Sequence, residues 1–271
     1  MTLRSSPPPP AALALGRPDT AWLLLGLAIV FGVFQYLGTA FGSDRGQAGI
    51  LIAGVIVGAL LAVERLLFGR SLPRAASALG LGRPQPRGLV ASLVVCAALL
   101  CVAPIAAWWA DTAVRAVPHA ERQVLGLFMQ AGVAEEALFR GYLFNHLRRG
   151  RSFWAAAWLS MAPFALVHLW LFATMPAVVA AAALLLSCVV ALPFAHLFEV
   201  GGGTIWPPAL VHFVVQGGAK LIAFDDEPPL PWPLVWMAAS AIVPWTAFGW
   251  RRDRPARHAT VTPRSPSQRP T

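Results

Sequence analysis

The stretch AWLLLGLAIVFGVFQYLGTAF (residues 21–41) contains no charged residue, and about 20 apolar residues in a helix suffice to cross the hydrocarbon core of a bilayer. It reads as a membrane span, and the rest of the chain shares its character. Of the 271 residues, 57% are apolar and 12% charged, with mean hydropathy +0.63, whereas about a quarter of the residues of a soluble domain carry charge. That balance excludes a soluble globular domain. About eight runs are long enough to span, at 21–41, 47–63, 88–110, 122–147, 153–173, 176–199, 204–223 and 230–250, the fourth and seventh being the least hydrophobic. The expected fold is all-α: a polytopic membrane protein whose helical domain covers 21–250.

Charge placement orients the bundle. Arg65, Arg70, Arg74, Arg83 and Arg87 follow the second run, Arg148, Arg149 and Arg151 the fourth, and Arg251, Arg252, Arg254 and Arg257 the eighth, while Asp225, Asp226 and Glu227 follow the seventh. By the positive-inside rule both termini are expected in the cytoplasm. The net charge of +9 then belongs to loops facing anionic lipid, and no basic stripe with interleaved aromatics points to nucleic acid. Residues 1–20, with SSPPPP, and the basic tail 251–271, with TPRSPSQRPT, are expected to be disordered. Segment 70–87, rich in Pro, Gly and Arg, reads as a surface connection with a short interfacial helix. Cys96, Cys101 and Cys188 lie in apolar runs and read as small core residues rather than a disulfide framework. No internal repeat is evident, which counts against a transporter built from inverted halves.

The informative residues are those left ionisable at membrane depth: Glu135, Glu136 and Arg140 on the fourth run, His168 on the fifth, His196 on the sixth and His212 on the seventh. Each costs about 2.5–3.5 kcal/mol to insert, if charged, on translocon scales and so marks a candidate site facing the bundle interior. Glu136 and Arg140 are four apart, the spacing of a helical ion pair with the acid on the favourable side. Glu135 points about 100° away around the helix, into a different part of any cavity. Two histidines from two other helices complete a constellation able to bind and activate water, directly or through a metal. Gln216, four residues after His212, offers an amide donor suited either to an oxyanion or to an interhelical hydrogen bond. Pro207 and Pro208 suit the first turn of a helix. His196 and Glu199 read as interfacial, and His119, His146 and His258 as solvated. At about 1.5 Å per residue, Glu135 lies about 20 Å from Arg148, His168 about 25 Å from Arg151 and His212 about 12 Å from Thr204, so straight helices would not bring these groups to one depth. Either the spans tilt, or their limits differ near 151–157 and 200–206.

EEALFR (135–140), FALVH (164–168) and HFVVQ (212–216) resemble the three motifs EExxxR, FxxxH and HxxxN of the CAAX-protease and bacteriocin-processing (CPBP, Abi) family of intramembrane proteases. The resemblance covers about 122–223. It implies a helical membrane fold, a catalytic cavity within the bilayer, and cleavage of peptide bonds in membrane-bound or lipidated substrates. On that likeness Glu135 activates water with help from His168, Glu136 supports and Arg140 braces the site, and His212 and Gln216 stabilise the oxyanion. Gln216 stands where the family usually has Asn. The chain lacks the zinc spacing HExxH, and the motif set fits a glutamate-activated water without metal. Were a single divalent metal such as zinc to take part, its ligands would be Glu135, His168 and His212. Alternatives are a non-catalytic family member acting as a binding or immunity factor, or a proton-relaying transporter or channel. The Arg- and Ala-rich composition points to a bacterial gene and hence to the inner (cell) membrane.

Overall fold

The computed structural model describes residues 17–41, 48–226 and 230–252. The lead before Arg17 and the tail after Arg252 lie outside the described residues, as do Glu227, Arg254, Arg257 and His258. The chain runs through α1 (Arg17–Phe41), α2 (Gly49–Leu66), α3 (Leu72–Ala78), α4 (Pro86–Leu100) and α5 (Val102–Ala110). Next comes one long helix in four parts: α6 (Ala120–Leu127), two wide π-helical stretches (Phe128–Ala134 and Ala137–Phe144), and α7 (Asn145–Arg148). Then follow α8 (Phe153–His168), α9 (Leu171–Thr174), α10 (Ala177–Val200), α11 (Trp206–Leu221) and α12 (Trp232–Ile242), the last continued by a 3-10 stretch (Val243–Gly249).

Five segments among the described residues are long and apolar enough to cross a membrane: Thr20–Phe41, Gly49–Leu66, Pro86–Ala110, Phe153–Thr174 and Ala177–Val200. The chain is thus a predominantly helical polytopic membrane protein. The other three expected runs form helices too, without meeting that criterion. Outward-facing Trp108, Val178 and Leu185 are 83%, 82% and 67% exposed, as side chains bathed in lipid would be. The short helix expected in 70–87 is α3, with Pro73 in its first turn, where a missing N–H costs nothing.

Four features depart from the expectation. A two-stranded antiparallel ribbon joins β1 (Val114–Ala116) to β2 (Ile222–Phe224), pairing Arg115 with Ala223, so the fold is not wholly helical. With three residues per strand, the alternation is too short to stand out between apolar helices. His146 is fully buried rather than solvated, hydrogen-bonded through Nε2 to Glu64 Oε1 at 2.7 Å. His196 is likewise 3% exposed, with Nε2 donating to the Trp250 carbonyl at 3.0 Å. Cys101 is exposed and all three cysteines are free. His119 is exposed, in line with the expectation.

The core has two lobes. Leu23, Leu27, Ile52, Ile56 and Leu60 of α1 and α2 pack on Leu138, Tyr142 and Phe144 of the long helix. Val95, Leu99, Phe194, Val211 and Trp236 close the second lobe around α4, α10, α11 and α12. The long helix and α11 meet where the lobes meet, and the depth problem is solved at that junction. The turn into α11 is partly enclosed: Gly201, Thr204 and Ile205 are buried while Gly202 is exposed, and Gly88 approaches Gly201 so closely that a Cβ there would lie 2.4 Å from its Cα. Gly202 and Gly203 both take φ of 77°, a conformation that side chains disfavour. Because α11 starts inside the protein, His212 needs only about a turn and a half of helix to reach the level of the glutamates.

Candidate active site

The site is built on a close helix crossing. A Cβ on Gly132 would lie 2.9 Å from the Ala209 carbonyl oxygen, so only glycine lets the long helix and α11 approach this far. From that point Glu136 is four residues on and His212 three, about one turn in each case. The backbone between is π-helical: the Glu135 N–H donates to the Gln130 carbonyl, five residues back. Such widened turns recur at functional sites because they re-aim side chains. Here they flank Glu135 and Glu136 on both sides.

Glu136 is the hub. Its Oε1 accepts from Arg140 Nη1 at 2.9 Å and from His212 Nδ1 at 2.7 Å, and its side chain has no exposure while that of Arg140 has 3%. The Arg140 guanidinium is further held between the rings of Phe164 and Phe194, 5.2 and 5.1 Å from their centroids, a geometry in which ring quadrupoles attract a cation. Phe164 thus braces Arg140 with its ring, and its carbonyl accepts from His168 Nδ1 at 2.7 Å. That bond leaves His168 Nε2 as the ring atom available elsewhere. Glu135 and His212 both lie within electrostatic reach of His168.

Glu135 differs from its neighbour in every respect that matters chemically. Its side chain is 18% exposed, and the nearest basic atom is His212 Nε2, 3.8 Å from Oε2. One carboxylate is locked, the other is only loosely engaged. Because Nδ1 of His212 is committed to Glu136, Nε2 is turned towards Glu135. Gln216 is half-buried one turn further along α11, and makes no hydrogen bond among the described residues. No group of three His, Cys, Asp or Glu side chains placed to hold a metal occurs among the described residues, so Glu135, His168 and His212 do not form a ready ligand set. The crossing brings the imidazole of His212 to the carboxylates of Glu136 and Glu135.

Replacing Gly132 with Leu is expected to push α11 outward and part His212 from Glu136. A displacement of 1 Å costs about 10²-fold in rate where geometry governs the reaction, so turnover should fall by about that factor while the protein still inserts, as measured by membrane yield and helicity.

A second buried polar cluster lies outside the residues that the sequence singles out. Glu64 of α2, fully buried, accepts from Arg70 Nη1 at 2.6 Å as well as contacting His146. Glu64 stands in the apolar run LLAVERLL, which is a signal of burial, but the adjacent arginines mark the same place as the start of a loop. Glu199 similarly ties Arg148 to Arg252, closing the arginine-rich end of the bundle.

Comparison with known proteins agrees with the motif resemblance. Residues 118–217 match the family model described as type II CAAX prenyl endopeptidase Rce1-like, a segment that contains all three motifs. No curated protein and no solved structure matches the chain significantly.

Proposed function

We propose that the chain is an intramembrane endopeptidase that hydrolyses a peptide bond of a membrane-bound or lipidated protein or peptide, using water activated by Glu135. The observation that carries this reading is the asymmetry of the glutamates: Glu136 is clamped by Arg140 and His212, whereas Glu135 faces His212 Nε2 across 3.8 Å and stays partly open. A water hydrogen-bonded to Glu135 from beside the pair would give its proton to the Glu135 carboxylate as its oxygen attacks the scissile carbonyl carbon. His168 Nε2 is available to orient that water. The oxyanion would take a hydrogen bond from Nε2–H of His212 in its protonated form and from the amide of Gln216. The proton held by Glu135 then passes to the leaving amine as the C–N bond breaks.

The match to a CAAX prenyl endopeptidase family supports both the reaction class and a substrate presented from the membrane. The arginine clusters support cytoplasmic termini, and the composition supports a bacterial cell membrane. Gln216→Ala should lower kcat by about 10²–10³-fold with little change in KM, as loss of an oxyanion donor does, whereas Gln216→Asn should keep most of the activity. The rates are those at which new C termini appear on membrane proteins in vesicles containing each variant. An unchanged rate in Gln216→Ala would remove this residue from the site. A binding factor would show no such termini with any variant.

A further inference from the structure

The ionisable groups of the site come from the long helix, α8 and α11, yet a further helix reaches them. Phe194 of α10 is fully buried. Its ring centroid lies 5.1 Å from the Arg140 guanidinium carbon and 5.3 Å from the centroid of the His212 imidazole, the two rings inclined at 46°. Phe194 thus adjoins both groups that donate to Glu136 Oε1. The other ring on Arg140, Phe164, belongs to the first lobe of the core and Phe194 to the second, so the guanidinium is gripped from both sides of the junction. Phe164 leans on Phe139 and His168, at 4.6 and 4.5 Å between centroids; the neighbour that Phe194 serves is His212.

We propose that Phe194 is a positioning residue of the site, its ring holding Arg140 and His212 together on the one carboxylate oxygen that they share. An arginine and a protonated imidazole on the same acceptor repel each other, and the negative face of an aromatic ring close to both offsets that repulsion by attracting either cation. With Nδ1 kept on Glu136, Nε2 stays turned towards Glu135. A leucine would fill most of the same space without that attraction. The effect on rate rests on the reading of the site as hydrolytic; the effect on the place of His212 does not.

The test places phenylalanine analogues with one, two and three ring fluorines at position 194 of the full chain in membrane vesicles. Fluorine withdraws charge from the ring face while nearly conserving its shape, so a side chain that only fills the core would not respond. The rate at which new C termini appear on membrane proteins should fall stepwise, by about tenfold with three fluorines, and Phe194→Leu should lower it by about 30-fold, the equivalent of a desolvated cation–π contact. Phe198 is the control. One turn further along α10, 2% exposed and set against Phe144, it should leave the rate unchanged with the same analogues and as Phe198→Leu, although both leucine variants lose thermal stability. In parallel, NMR of nitrogen-15-labelled histidine should show the His212 Nδ1 proton, identified by its loss in His212→Gln, moved in Phe194→Leu and unmoved in Phe198→Leu. A rate indifferent to fluorine at 194, an equal fall at 198, or an unmoved His212 proton in Phe194→Leu would each overturn the proposal. If the native protein forms no new termini, the hydrolytic reading fails and the proton alone decides whether Phe194 places His212.

Discussion

Glu136→Ala is expected to destabilise the protein by about 3–5 kcal/mol, the cost of stranding one member of a buried ion pair. The stranded group is Arg140, whose side chain is 3% exposed and is enclosed by Phe164 and Phe194. With the carboxylate gone, its charge has, among the described residues, only the more distant Glu135 to balance it, and His212 loses the acceptor for Nδ1. The loss should appear as a fall in apparent Tm on the order of 10 °C, followed by circular dichroism in detergent. Glu136→Gln, which keeps an acceptor oxygen for both donors, should lose less. An unchanged Tm in Glu136→Ala would show that the hub is not structural.

Glu135→Gln should behave in the opposite way. Among the described residues the side chain has no short hydrogen bond to lose, since its contact with His212 is 3.8 Å long and 18% of it is exposed. Stability should therefore stay close to that of the native protein. The amide cannot accept a proton from water, so the rate of cleavage should drop by the share of a general base, about 10²–10⁴-fold. The two adjacent glutamates are thus separable, one by Tm and the other by rate. If both variants lost stability alike, or both lost only activity, the division of roles drawn from the geometry would be wrong.

Much of this is legible in the residues. Five of the eight expected runs are helices long and apolar enough to cross a membrane, and the Glu136–Arg140 contact follows from a four-residue spacing on a helix. The juxtaposition of His212 with the glutamates can be suspected from the cost of leaving polar groups in lipid, but its geometry cannot. It depends on Gly132 meeting the backbone of Ala209 and on a turn at 201–205 that is largely buried, and neither has a periodic signature. The π-helical widening around Glu135 and Glu136 is also invisible, because α and π turns use the same residue types. His146 misleads for a different reason. Its neighbours Arg148 and Arg149 belong at a surface, yet Arg148, two residues on, faces another side of α7, Arg149 lies past the end of that helix in extended backbone, and His146 points inward to Glu64. The ribbon of Val114–Ala116 with Ile222–Phe224 lies between helices in segments too short to announce themselves.

The most direct measurement of the central claim, that Glu135 activates water to cut a membrane-embedded substrate, is isotopic. Membranes containing the native protein or Glu135→Gln, otherwise identical, are incubated in water enriched in oxygen-18, and the C termini of their membrane proteins are analysed by mass spectrometry. A set of termini carrying oxygen-18 in the new carboxylate should form with the native protein and be absent, or slower by the factor above, with Glu135→Gln. The same labelled termini at the same rate in both membranes would contradict the account.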